Sequence, residues 1–227
     1  MSTRLARLNR FLVAHSFYPL ALCALLGVAF FVGRVYLSHK VTFAFLIWNL
    51  FLAWIPYLAS LGVVQLARGG TVSRWLALLP AAVWLVFLPN APYMITDLLH
   101  LDERLPVPLW YDIGFLSTFV LTGLFLAFAS LRTMQTLAQQ LFGRAASWLL
   151  VVATVGLSGF GIYLGRFMNF NSWDVLKQPD DVFEVVVGRM LHPHMQTYGV
   201  TLMFAAIIFV FYLAFSSLQP HADWSVE

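Results

Sequence analysis

Charged residues are scarce in this chain: Asp, Glu, Lys and Arg together make up 10% of it, where a soluble globular domain carries about a quarter. That deficit excludes an ordinary water-exposed surface. Cysteine occurs once, at Cys23, so no intramolecular disulfide can form. The chain also lacks a P-loop, a G-x-S-x-G elbow, an H-E-x-x-H helix and a Rossmann fingerprint, which removes the common soluble enzyme classes. Nucleic acid is excluded as a partner as well. The net charge is only +3, and the basic residues are scattered, mostly at the ends of apolar runs where they anchor to lipid headgroups.

What is present is apolar. Hydrophobic residues make up 61% of the chain, and the mean hydropathy is +0.82. Hydrocarbon about 30 Å thick is crossed by roughly 20 apolar residues of helix. Runs near that size cover residues 17–35, 42–65, 75–88, 109–131, 146–166 and 196–218. The third is short, contains Pro80 and ends in Pro89-Asn90-Ala91-Pro92. Such interruptions are tolerated where the backbone is buried in protein or lines a polar cavity. The first run extends over residues 17–37, broken only by Arg34, and follows Arg4, Arg7 and Arg10. It exceeds a signal-peptide core of about 7–15 residues, so an uncleaved span is expected. The expected fold is all-α: a polytopic membrane helix bundle of about six transmembrane helices plus short interfacial helices. Residues 1–227 would form one integral membrane domain.

Loop charge sets an expected orientation. With the N-terminus cytoplasmic, seven basic residues fall inside and six outside, a small bias strengthened by the three arginines ahead of the first span. Both termini are then cytoplasmic. Parity holds in either orientation: the loops after spans one, three and five share a face. Eight of the ten acidic residues lie on that face: Asp97, Asp102, Glu103, Asp112, Asp174, Asp180, Asp181 and Glu184. Chemistry is expected there.

Three stretches supply polar groups on that face. In Asn90-Ala-Pro-Tyr-Met-Ile-Thr-Asp97-Leu-Leu-His100, Asn90 is a candidate helix N-cap, with Pro92 in the first turn. Tyr93, Thr96, Asp97 and His100 then share one face, opposite Met94, Ile95, Leu98 and Leu99. This reads either as an interfacial helix with a wet side, its apolar side toward lipid or the bundle, or as an Asp97–His100 acid–base or metal-ligating pair. In Trp110-Tyr111-Asp112, the aromatics suit the interface belt. Asp112 at the mouth of a span needs a partner, or serves the helix N-terminus. Between Gly159 and Asp174, Gly161 and Gly165 have the spacing of close helix contacts. Arg166, Asn169, Asn171 and Asp174 crowd the helix end. Arg166 there can hold phosphate or carboxylate, or pair with Asp97, Asp112 or Asp174. His192-Pro-His194 matches no metal-site spacing, and no metal is expected. Asn49, within the second run, is expected to bond a neighbouring helix.

These strings carry a resemblance. Trp48-Asn-Leu-Phe-Leu-Ala-Trp-Ile-Pro56, the Phe-Leu-Pro-Asn-Ala-Pro-Tyr string through His100-Leu101, Trp110-Tyr-Asp112, and Ser158-Gly-Phe-Gly-Ile-Tyr-Leu-Gly-Arg-Phe with Asn171-Ser-Trp-Asp174 resemble a bacterial multi-pass membrane family catalogued as domain of unknown function 1361. Where that family commonly has a basic residue and Trp before Asn-Ser-Trp-Asp, this chain has Asn169 and Phe170. The resemblance implies a bacterial cytoplasmic-membrane protein and brings no activity or cofactor.

Three functions are consistent with these residues. One is an enzyme at the outer face acting on, or binding, a lipid or anionic lipid-linked substrate. Asp97, His100 and Asp112 would be its catalytic groups, and Asn90, Arg166, Asn169, Asn171 and Asp174 its ligand-binding groups. The others are a non-catalytic membrane subunit or assembly factor, and a small transporter. No cofactor or protein partner is specified; the partner expected is membrane lipid.

Overall fold

Helix is the only regular structure found in the computed structural model of the chain, which describes residues 3–69, 71–102, 106–168, 170, 177, 179–191 and 194–218. The elements are α1 (Thr3–Ala14), α2 (Phe17–Ser38), α3 (Ala44–Ala67), α4 (Thr71–Leu76), α5 (Leu78–Phe87) and α6 (Asn90–Tyr93). A 3₁₀ turn (Met94–His100), α7 (Leu109–Phe167), α8 (Pro179–Leu191) and α9 (Met195–Leu218) follow. Among the described residues, five stretches are long and apolar enough to cross a membrane: Phe17–Ser38, Ala44–Ala67, Val72–His100, Leu109–Phe167 and Met195–Leu218. The chain is an all-α polytopic membrane bundle.

At 1.5 Å per residue the 59 residues of α7 would reach about 88 Å, against roughly 30 Å of hydrocarbon. The helix is broken at Gly143, whose φ of 85° and ψ of 175° lie outside helical space. That region of backbone space belongs almost only to glycine. Leu131 before the break and Val155 after it, equally distant from Gly143 in sequence, line one small apolar cavity with Leu88 and Ile208. The chain therefore doubles back at Gly143. The fourth and fifth apolar runs are its two arms, residues 109–142 and 144–167.

The third run departs from expectation. Instead of stopping at residue 88, the chain stays helical through Pro89 (φ −60°, ψ −24°) and α6 into the 3₁₀ turn. The two prolines are accommodated because each falls where a helix restarts, so its missing N–H removes little. Asn90 is not an N-cap. Its side-chain amide donates to the Phe87 carbonyl at 3.0 Å.

Lipid solvates apolar side chains as well as a protein core does, so close packing and polar bonds must hold the helices together. α7 is the hub, touching α2, α3, α6, the 3₁₀ turn and α9. Trp84, Tyr57 and Tyr163 are buried between helices. Buried Tyr212 of α9 donates its hydroxyl to Gln135 of α7. On the outside, Leu22 of α2, Leu149 of α7 and Leu202 of α9 are about two-thirds exposed, as lipid-facing residues should be.

Candidate functional site

The 3₁₀ turn has three residues per turn, so Met94, Asp97 and His100 stack in one row. Met94, Thr96 and Asp97 are buried, whereas Leu98 and Leu99 face outward, Leu99 at 72% exposure. The amphipathic pattern is thus inverted relative to a surface helix with a wet side: its polar groups point into the bundle and its leucines point out. A carboxylate 2% exposed at a membrane-length helix end requires a partner. That partner is Asn49 of α3, whose Nδ2 donates to Asp97 Oδ2 at 3.0 Å. Only Oδ2 is bonded. Among the described residues Oδ1 has no hydrogen-bond partner, and the fully buried unpartnered side-chain atoms there are instead the Thr197 and Thr201 hydroxyls of α9.

His100 is oriented by the Asp97 backbone rather than by its carboxylate. Nδ1 lies 3.3 Å from the Asp97 carbonyl oxygen, which can only accept, so Nδ1 carries the proton in that bond. In the neutral ring Nε2 is then the basic nitrogen. The ring also packs on Phe45 of α3, with centroids 4.9 Å apart.

Arg166 arrives from the second arm of α7. Close contacts fix that arm against the third span: a Cβ on Gly161 would stand 2.7 Å from Pro89, and one on Gly165 would stand 3.0 Å from the Tyr93 ring. Glycine at both positions permits this approach. Half-buried Arg166 interacts electrostatically with Asp97, as His100 does. Among the described residues no hydrogen bond or ion pair reaches the Arg166 guanidinium. Asn49, Asp97, His100 and Arg166 therefore gather at one end of the bundle, from three separate stretches of chain.

Asp112 is bonded to Arg34 rather than to a member of that group. Its carboxylate receives Arg34 Nε at 2.7 Å and the Arg34 Nη2 at 3.0 Å, a two-pronged pair with side chains 1% and 3% exposed. The Arg34 guanidinium lies 4.3 Å from the centroid of the Phe43 ring. Tyr111 adds a bond from its hydroxyl to the Phe30 carbonyl at 2.8 Å. Asn169, Asn171 and Asp174 lie outside the described residues, as does His192.

For two residues, Arg34 and Asn49, the sequence names no partner. Arg34 carried a usable signal, because a charge that interrupts an apolar run demands a counter-charge within the membrane. Asn49 was expected to bond a neighbouring helix, but nothing in its surroundings in sequence named Asp97.

The model of the family described as "Protein of unknown function (DUF1361)" matches residues 48–211. The chain belongs to this family. The matched stretch opens at Trp48, beside Asn49, and includes Asp97, His100, Asp112 and Arg166; α1, α2 and Arg34 precede it. No curated protein and no solved structure matches the chain.

Proposed function

We propose that Asn49, Asp97, His100 and Arg166 form a site that binds the anionic headgroup of a lipid or lipid-linked substrate and acts on it by acid–base chemistry. The observation that carries this reading is Arg166: a half-buried guanidinium without a fixed ion pair among the described residues, within electrostatic reach of a buried carboxylate that His100 also reaches. A guanidinium in that position takes phosphate or carboxylate through two parallel bonds. His100 exchanges the proton through Nε2, and Asp97, held by Asn49, balances the charge that develops on the ring. Exposed Leu98, Leu99 and Phe167 border the site, so a lipid headgroup reaches it sideways from the bilayer. The setting is a bacterial cytoplasmic membrane, multi-pass, with this end extracytoplasmic and both termini cytoplasmic. The arginine-rich opposite end supports that orientation.

A second reading, a non-catalytic subunit or assembly factor, is favoured by Asp112, whose carboxylate is taken up by Arg34 in a buried two-pronged pair. Transport loses one of its supports, since the Asn49 amide is committed to Asp97 at the same end.

The test uses purified full-length protein in nanodiscs made with bacterial lipid extract. Retained phospholipid is measured by native mass spectrometry, and radiolabelled lipid is followed by chromatography. Wild type should retain and convert a phosphate-bearing lipid. R166A should lose binding, while H100A and D97N should bind without converting. If R166A retains the same lipid as wild type, the binding reading fails; if H100A converts normally, the acid–base role fails.

A further inference from the structure

The end of the bundle opposite this site is built of arginine. Arg4, Arg7, Arg10, Arg68, Arg74 and Arg144 are all exposed there. The chain's two lysines, Lys40 and Lys177, lie in the other set of loops, and no acidic residue precedes Asp97. Three of these arginines belong to α1. This helix joins α2 through the two-residue turn His15-Ser16, held by a bond from the Tyr57 hydroxyl to the His15 carbonyl at 2.9 Å. Because α2 enters the membrane directly after the turn, α1 is held at the bilayer boundary.

The faces of α1 are divided. Leu5, Leu8 and Leu12 follow the i, i+3, i+7 spacing and form one stripe. Leu12 packs on the bundle, whereas Leu5 and Leu8 continue the stripe past it at 55% and 52% exposure. Arg7 projects nearly opposite Leu5, with Arg4 and Arg10 on its flanks. An apolar stripe backed by arginine, with no acidic residue on the helix, has the charge and shape complement of an anionic bilayer surface.

We propose that α1 is a membrane-surface helix that binds anionic phospholipid, with Arg4, Arg7 and Arg10 on headgroup phosphates and Leu5 and Leu8 in the acyl boundary. Arginine suits this partner because its planar fork takes a phosphate through two bonds. Near an anionic surface each basic residue raises surface partition roughly fivefold, so three give about a hundredfold. The inference is independent of the Asp97 site.

The experiment is hydrogen exchange by mass spectrometry on the full-length protein. It compares nanodiscs of phosphatidylcholine alone with nanodiscs containing phosphatidylglycerol, using residues 3–14 as the readout and α3 as the internal folding control. Exchange in α1 should slow when phosphatidylglycerol is present, and high salt should reverse the effect. The variant R4Q/R7Q/R10Q should abolish the lipid dependence while α3 stays protected; if α3 loosens, the single variant R7Q replaces it and should show a partial loss. L5Q/L8Q should weaken α1 protection in both lipids. Equal exchange of wild-type α1 in the two lipids overturns the proposal. So does a lipid dependence that survives R4Q/R7Q/R10Q, or protection that depends on protein concentration rather than lipid charge, which would make a second copy the partner.

Discussion

Arg34 and Asp112, 78 residues apart in sequence, hold each other through two bonds of 2.7 and 3.0 Å inside the bundle. The pair fastens α2 to the start of α7. Phe43 closes over the guanidinium and keeps it from water.

Removing one partner of such a pair leaves an uncompensated charge, at a cost of about 3–5 kcal/mol. R34A and D112A should each unfold at markedly lower denaturant concentration in detergent than wild type. The double variant R34M/D112L, which replaces the pair by apolar groups of similar size, should recover most of the loss. Equal instability of the single and double variants would show that packing around the pair, not charge compensation, sets its value.

Gly143 should tolerate no side chain. Its φ of 85° with ψ of 175° is strained for any other residue, and Gly143→Ala should cost about 1–3 kcal/mol. Apart from the local backbone and its chain neighbours, no heavy atom lies within 4 Å of a Cβ at this position, so a tertiary clash cannot explain a loss. Chemical unfolding of G143A beside G156A, a helical glycine with equally open surroundings, separates the two causes. G156A should be neutral or stabilising, because alanine favours helix.

His15, in the turn before the first span, gives a pH dependence of definite sign. Burial lowers its pKa below the ordinary value, a backbone bond to Phe11 opposes this, and Arg68 adds to the lowering. The folded state therefore favours the neutral ring. Stability from this residue is fully present above the unfolded value near 6.5. It is lost progressively as pH falls below that value, where the unfolded chain binds the proton more readily. The thermal midpoint in detergent should drop between about pH 7 and pH 5, and H15N should flatten that part of the profile. A profile unchanged by H15N would assign the dependence to another group.

Much of the architecture was legible in the chain because its causes are local. Each apolar run is set against one fixed length, the hydrocarbon thickness, and parity then places the acidic residues at one end. The contacts Arg34–Asp112, Asn49–Asp97 and Phe45–His100 bring the corresponding loops together at that end. The third span was misjudged because proline reads as a stop, whereas Pro89 and Pro92 sit at positions where a helix can restart. The 94–100 segment is 3₁₀ rather than α, so Met94 stacks with Asp97 instead of lying opposite it, while Leu98 and Leu99 face outward. A periodic pattern identifies two faces, and in lipid it is the apolar face that turns outward.

Composition and periodicity alone determined that this is a membrane helix bundle with a polar end, because the bilayer acts on every residue in the same way. Only the tertiary structure decided which polar groups meet. Asp97 and Asp112 are alike in sequence context, each an aspartate at the end of an apolar segment. One is held by an amide beside a half-buried arginine that has no ion pair among the described residues, and the other is closed by a guanidinium from a helix far away in sequence. That difference depends on how α2, α3 and α7 are rotated against one another. Rotation is settled by close contacts such as Gly161 on Pro89, which no single segment contains.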